Sequence, residues 1–288
     1  MIRKDEVAAV LVTFNRLELL KKVFNALQNQ TKKIDRIFIV NNGSTDGTSE
    51  WLERQSNIEI ITQSNSGSSG GQSRGFRAAF EAGYEWVWEM DDDVVPRPTC
   101  LEELYSERKE NQVYSPLRYS AEGGVFYNDT LEFNLSNPFK GFWKGIVTEK
   151  HVSDKYIPCI GITFEGAFFH RSLIEKIGYP EKHIFIYGDD SEFFIRAAKA
   201  GYEIGILTAA KSDRMLPYKM EEQIHTPKLY YIIRNQILID RLHGNILVKY
   251  IRPLIYLGKW LLRSNSADDR KNTIKAFKDG WNYKPEYH

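Results

Sequence analysis

Two cysteines in 288 residues, Cys100 and Cys159, stand in no metal-type spacing and are too few for a disulfide scaffold. That scarcity fits a reducing compartment and predicts a cytoplasmic protein. Long apolar runs are missing too. No stretch is long enough to span a bilayer, and "MIRKDEVAAVLVTFNR" has neither a long h-region nor a small-residue cleavage site. Membrane contact is therefore expected to be peripheral. An excess of one charge is absent: 39 Lys and Arg face 38 Asp and Glu, for a formal net charge of +1. Nothing pulls the chain as a whole toward nucleic acid, and no nucleic-acid partner is expected. Two nucleotide signatures are lacking as well. The glycine-rich stretch "NSGSSGGQSRG" carries no Lys followed by Ser or Thr, which a phosphate-binding P-loop needs, and Gly67, Gly70, Gly71 and Gly75 do not give the dinucleotide spacing G-x-G-x-x-G.

What is present reads as a globular α/β chain. With 42% hydrophobic residues it can bury a substantial core, as one large domain or one domain with a helical appendage. "EVAAVLVTF" reads as a buried strand, and Leu17, Leu20, Val23, Phe24 and Leu27 then recur at helical spacing. The unit repeats through "DRIFIVNNGS", "STDGTSEWLER", "IEIIT", "GGQSRGFRAAFEAG" and "YEWVWEM". Alternation of this kind predicts a mostly parallel sheet flanked by helices, with a ligand beyond the carboxyl ends of the strands. Asn15, Asn42, Asn65 and Asp91 to Asp93 lie at such ends. From about residue 118 to 158 the period dissolves, which suggests a binding loop or lid. The chain then closes on "TPKLYYIIRNQILIDRLHGNILVKYIRPLIYLGKWLLRS", an aromatic and basic helical tail.

Two acidic clusters carry chemistry. In "EWVWEMDDDVVPRP", Asp91, Asp92 and Asp93 follow an apolar strand, where like charges either raise one another's pKa or call for a cation. An acidic turn on a solvated face is the plain alternative, and the flanking Trp86, Val87, Trp88, Met90, Val94 and Val95 argue against it. In "YGDDSEFFIRAAKAG", Asp189 and Asp190 precede an amphipathic helix. A helix N-terminus explains one of these acids through the macrodipole and leaves the second unexplained. The glycines of "NSGSSGGQSRG" allow close backbone approach to a ligand, with an anion favoured at the helix start.

"VTFNR", "VNNGSTDGT", "NSGSSGGQSRG", "MDDDV", "FEGAFFHR" and "YGDDSEFFIRAAKAG", in that order, resemble the family 2 inverting glycosyltransferases across roughly residues 7 to 235. The triple Asp, the glycine-rich loop and "HTPKLYYIIRN" point further to the bacterial galactofuranosyltransferases and rhamnosyltransferases of that family. The resemblance implies a GT-A nucleotide-sugar-binding domain over residues 1–225. The remainder, 226–288, is a C-terminal helical region with a membrane-proximal or oligomerising role.

The resemblance also assigns roles. Alternation along a strand turns Asp91 and Asp93 to one side, where a hard divalent cation, Mn2+ or Mg2+, would bridge them to a diphosphate, and His225 matches the family's metal-binding histidine. Asp190 is the expected base, with Asp189 positioning the acceptor or sharing the role. Donor contacts fall to Thr13, Asn15, Arg16, Asn42, Arg74, Asp91 and Asp92. Asn42 stands where many family members carry Asp. Trp143, Glu165 and Gly166 are the candidates for the acceptor. The implied reaction moves a sugar from a UDP-sugar, foremost UDP-galactofuranose, to a cell-surface glycan or lipid-linked acceptor. A dTDP-rhamnose donor and a catalytically idle nucleotide-sugar-binding scaffold are the alternatives.

Overall fold

The computed structural model describes residues 2–217 and 227–287. Strand β1 (Arg3–Thr13) is buried without a break from Val7 onward, which a strand tolerates only where both sheet faces are covered. β2 (Arg36–Asn41) and β4 (Tyr84–Asp91) pair parallel to it on either side, and β3 (Ile58–Thr62) extends the sheet beyond β2. On the far flank the short β10 (Phe168–His170) lies antiparallel between β4 and β6 (Gln112–Tyr119). β11 (Glu203–Arg214) runs parallel to β6, and β5 (Val94–Pro96) and β9 (Tyr156–Pro158) pair antiparallel to β11. The order is β3-β2-β1-β4-β10-β6-β11-β5, with β9 beside β11. β1, β2, β3, β4, β6 and β11 all point one way, so the mostly parallel sheet is as expected.

Helices cover both faces. α1 (Leu17–Gln28) buries Leu20, Val23, Phe24 and Leu27 against the face that carries Val7, Ala9 and Leu11. α2 (Thr48–Leu52) and α4 (Cys100–Ser106) bury Leu52 and Leu101 in the same cluster. The alternate residues Ala8 and Val10 face α3 (Gly67–Glu81), α5 (Ser172–Ile177) and α6 (Asp189–Lys199) in a core rich in Phe76, Phe164, Phe169, Phe193 and Phe194. α3 comes unusually close to β1. A β-carbon on Gly75 would sit 2.3 Å from Val10 Cγ1, and one on Gly71 2.4 Å from Val12 Cγ1, so these two glycines fix both the distance and the rotation of the helix.

Residues 118–158 are more ordered than their missing period suggests. β7 (Thr130–Phe133) and β8 (Trp143–Ile146) form an antiparallel pair, with Trp143 opposite Phe133. All four residues of β8 are exposed, so no apolar alternation could have marked it.

Three helices close the chain: α7 (Leu229–His243), α8 (Ile246–Arg263) and α9 (Ala267–Trp281). α7 packs Leu238 and Ile239 with Phe142, Ile184 and Ile195, and α9 lies along α7 through Ala276. Arg252 of α8 is buried, bonding the Asp240 carboxylate at 2.9 Å and the Asn134 carbonyl at 2.6 Å. The last residues return to the α/β core, where Tyr287 Oη donates to Glu192 at 3.0 Å and its carbonyl accepts from Tyr179 N at 3.1 Å. Glu192 is fully buried and also takes Arg196 and His243, each at 3.0 Å, so one carboxylate joins α6, α7 and the chain end.

Candidate active site

The carboxyl ends of β1, β2 and β4 converge. Thr13, the last residue of β1, donates its hydroxyl to Asp92 at 2.7 Å. Arg16 places one guanidinium nitrogen 2.9 Å from Asp92 and 3.0 Å from Asp93. The expected alternation stops short of these residues, because β4 ends at Asp91 and Asp92 and Asp93 form a turn. Asp92 and Asp93 therefore share the cation Arg16, and Asp92 points at Thr13. Asp91 instead faces α3, where Gln72 Nε2 lies 3.4 Å from it and donates to the fully buried Glu89 at 2.7 Å.

The loops at the strand ends are tied together. Asn15, at a left-handed φ of 53°, accepts from Thr45 N at 2.7 Å and donates its own N–H to Ser44 at 2.9 Å. Asp46 of the "NNGSTDGT" loop accepts from Leu17 N at 2.9 Å at the start of α1. Asn42 is buried, with its amide donating to the Gly67 carbonyl at 2.9 Å and its carbonyl oxygen accepting from Gln63 at 2.7 Å. This expected donor contact is thus largely engaged in holding the glycine-rich loop.

Arg74 lies apart from the acidic cluster. At 100° per residue, Arg74 and Gln72 point to opposite sides of α3. Gln72 reaches the carboxylates of β4, while Arg74 is exposed and lines a separate cavity with Lys182 and His183. It does not join the Asp91 to Asp93 cluster.

The second acidic pair opens α6. Phe185, Tyr187 and Gly188 all have left-handed φ angles, of 71°, 65° and 88°, and this contorted approach delivers Asp189 and Asp190 to the helix start. Asn235 of α7 holds it in place by donating to the carbonyls of Ile184, Ile186 and Tyr187 at 3.1, 2.8 and 2.7 Å. Ser68 at the start of α3 donates to Asp189 at 3.0 Å. Gly67 lies against the same segment: a β-carbon there would fall 2.0 Å from the Phe185 carbonyl oxygen. The glycine-rich loop and the second acidic pair are thereby in direct contact.

Glu165 links the two acidic clusters electrostatically. Arg118 and Arg214 both donate to it, and Arg118 also bonds Asp129. Burial opposes ionisation of Glu165, but the two guanidinium groups outweigh it and hold the carboxyl below its usual value. Its charge in turn pushes up Asp91, Asp93 and Asp190. Both Glu165 oxygens are occupied by arginines, so the structure gives it an anchoring position instead of a free acceptor-facing one. Gly166 accepts from Trp88 Nε1 at 3.2 Å through its carbonyl. Trp143 is 56% exposed on β8, open to a flat ligand.

Burial, and then Asp189, raise the Asp190 carboxyl to about 7. Asp91 is raised by burial and by its neighbours Glu89 and Asp93, and burial likewise raises Asp92 and Asp93 despite Arg16. Asp91 to Asp93 have one bonded guanidinium among them, Arg16 on Asp92 and Asp93, and a divalent cation would favour the ionised forms that burial opposes. His225, the expected third ligand, lies outside the described residues. Among those residues no group of three or more His, Cys, Asp or Glu side chains forms a metal-binding cluster. Sequence reading missed Gln72, Glu89, Arg118, Arg214 and Asn235, although Gln72, Glu89 and Asn235 fall within "NSGSSGGQSRG", "YEWVWEM" and "HTPKLYYIIRN".

The profile of glycosyl transferase family 2 matches residues 8–178, more than half of the chain. The chain belongs to that family. It is 27% identical over 220 residues to galactofuranosyltransferase GlfT1 of Mycolicibacterium smegmatis, a match covering 73% of this chain and 71% of the relative. A β-1,3-glucosyltransferase acting on GalNAc(5)-diNAcBac-PP-undecaprenol in Campylobacter jejuni is 26% identical over 205 residues, covering 67% of this chain and 60% of the relative. Among solved structures, GalNAc-T7 with UDP, GalNAc and Mn2+ superposes with a TM-score of 0.65 at 12% identity, and S. aureus TarS with 0.62 at 13%. Each match covers 96% of this chain, which spans 55% and 48% of the respective neighbours. The fold is the GT-A glycosyltransferase fold, and this family 2 protein is a glycosyltransferase.

Proposed function

We propose that this glycosyltransferase moves galactofuranose, with inversion, from UDP-galactofuranose to a hydroxyl of a cell-surface glycan or lipid-linked acceptor. The observation that carries the reading is Asp190, a half-buried carboxyl at the start of α6 raised to about 7, under the same Glu165 charge as the β4 cluster. A base with that pKa is matched to removing a proton from a hydroxyl near neutral pH. The galactofuranosyltransferase relatives support the donor sugar. The fold neighbour GalNAc-T7, solved with UDP and Mn2+, supports the nucleotide and the ion.

In this reading Arg16, Thr13 and Asn15 hold the donor diphosphate and nucleoside, with Asp92 fixing Thr13 and Arg16 in place. Asn42 supports the uracil side through the Gly67 loop. Asp91 and Asp93, with His225, would hold the divalent cation, which supplies positive charge for the UDP leaving group. Asp190 takes the proton of the acceptor hydroxyl as its oxygen bonds the anomeric carbon; the bond from that carbon to the diphosphate oxygen breaks, and its electron pair leaves with UDP. Asp189, held by Ser68, orients the acceptor, and Trp143 offers a stacking face to a sugar ring.

A donor screen tests the assignment. Turnover of UDP-galactofuranose should exceed that of UDP-galactopyranose, UDP-glucose and dTDP-rhamnose by at least tenfold. Preferential turnover of dTDP-rhamnose would replace the donor, and turnover of none with UDP bound would leave an idle scaffold.

The tail supports a peripheral site of action on the cytoplasmic face of a membrane. Among the described residues no helix is long and apolar enough to cross one. α8 nevertheless exposes Ile246, Leu247, Tyr250, Leu254, Ile255 and Leu262, and it carries Lys249, Lys259 and Arg263 with no acidic residue. Apolar exposure bordered by uncompensated cations complements an anionic lipid surface.

A further inference from the structure

The outward side of α3 faces a cavity of about 450 Å³ whose wall is strongly cationic. Arg74 and Arg77 come from the helix, and Lys182 and His183 come from the short segment that leads into the Phe185 to Gly188 approach. The two guanidinium groups have little to balance them. Arg74 has no ion-pair partner among the described residues, and Arg77 has only Glu81 at 3.8 Å, one turn along its own helix. Ser66 and Ser73 add hydroxyls to the wall.

One carboxylate does reach in. Glu286 lies 3.1 Å from Lys182 and 3.4 Å from His183. It is delivered there by buried anchors on either side of its side chain. Its own backbone N–H donates to the fully buried Glu181, and the next residue, Tyr287, bonds Glu192. The chain end is thus fixed in a position that holds a single negative charge against a wall of several positive ones.

We propose that this cavity is a second anion-binding site, for a phosphate-bearing ligand, and that the Glu286 carboxylate is its resting occupant. A phosphate or diphosphate brings the two or more negative charges that one carboxylate lacks, and the forked guanidinium groups of Arg74 and Arg77 suit its oxygens. The site is distinct from the acidic cluster at the end of β4, because Arg74 and Gln72 leave α3 on opposite sides.

Titration of the full chain with inorganic pyrophosphate, in EDTA and at fixed ionic strength, tests this by calorimetry. Arg74→Ala and Lys182→Ala should each weaken binding at least tenfold, and Glu286→Gln should tighten it severalfold by removing the competing charge. Geranyl diphosphate, run in parallel, identifies the source: equal affinity points to a soluble phosphate ester and tighter binding to a lipid-borne one. All three substitutions are at exposed side chains, and thermal melts check that each variant is folded. The proposal is overturned if Arg74→Ala binds pyrophosphate as the parent does or if Glu286→Gln weakens binding.

Discussion

Asn235 donates to the Tyr187 carbonyl at 2.7 Å across 48 residues of chain, and the same amide bonds the carbonyls of Ile184 and Ile186. Together with Arg234, which donates to the His183 and Ile184 carbonyls, this side chain of α7 ties down the path into Asp189 and Asp190. Asn235→Ala should lower kcat about a hundredfold, in line with the sensitivity of catalysis to small misplacements, while UDP affinity stays within about twofold. Leaving three carbonyls without this donor should also lower stability by about 1–3 kcal/mol in thermal or denaturant unfolding. Equal losses in kcat and UDP affinity would show instead that the clamp serves the donor.

The raised Asp190 carboxyl gives the reaction a pH signature. Only its ionised form accepts a proton, and ionisation is half complete at about 7, so kcat should climb about tenfold per unit below that point and level off above it. Asp190→Asn should cost about a thousandfold or more in kcat, keep UDP affinity and abolish the acidic limb of the profile. A profile unchanged in the variant would remove Asp190 from the chemistry.

The β4 cluster should depend on a divalent ion. EDTA should abolish transfer, and Mn2+ or Mg2+ should restore it. Asp93→Ala should remain inactive with the ion present yet melt close to the parent, since the residue sits in a turn at the strand end and not in the core. Undiminished transfer in EDTA is the outcome that excludes this role.

Vesicle sedimentation addresses α8. The intact protein should pellet with anionic vesicles at low salt and be released at high salt, because each free cation near the surface contributes about 1 kcal/mol. Leu254→Glu and Leu262→Glu should each reduce the pelleted fraction severalfold, and truncation before about residue 245 should weaken it as well. If the variants instead change the oligomeric state in light scattering and leave pelleting alone, the face belongs to a second copy of the chain.

The strand ends are legible in the sequence because apolar runs stop there: Thr13, Asn42 and Asp91 each follow a continuous buried stretch. Side-chain direction is harder to read. Gln72 and Arg74 are two positions apart in one glycine-rich motif, and only the rotation of α3 decides which one meets the carboxylates. Gly71 and Gly75, four apart, mark the face pressed on β1 and so fix that rotation. Glu165 stands out by its motif, yet its partners Arg118 and Arg214 lie 47 and 49 residues away with no local pattern to announce the network. Asn235 is similar: nothing in a polar residue on an amphipathic helix says which distant carbonyls it will meet. His225 falls outside the described residues.

The antiparallel β10 imposes an order on biosynthesis. β1 to β4 are complete once Asp91 has left the ribosome, but the seam between β4 and β6 closes only when Phe168 to His170 arrive, and β11 follows more than 30 residues later. Domains assemble largely as the chain emerges, and distant pairings form slowly. Asn235 comes later still. A nascent chain therefore presents the carboxyl ends of β1 to β4 well before Asn235 can pin the segment leading to Asp189 and Asp190, and on the proposed roles a product that stops before α7 should not transfer sugar.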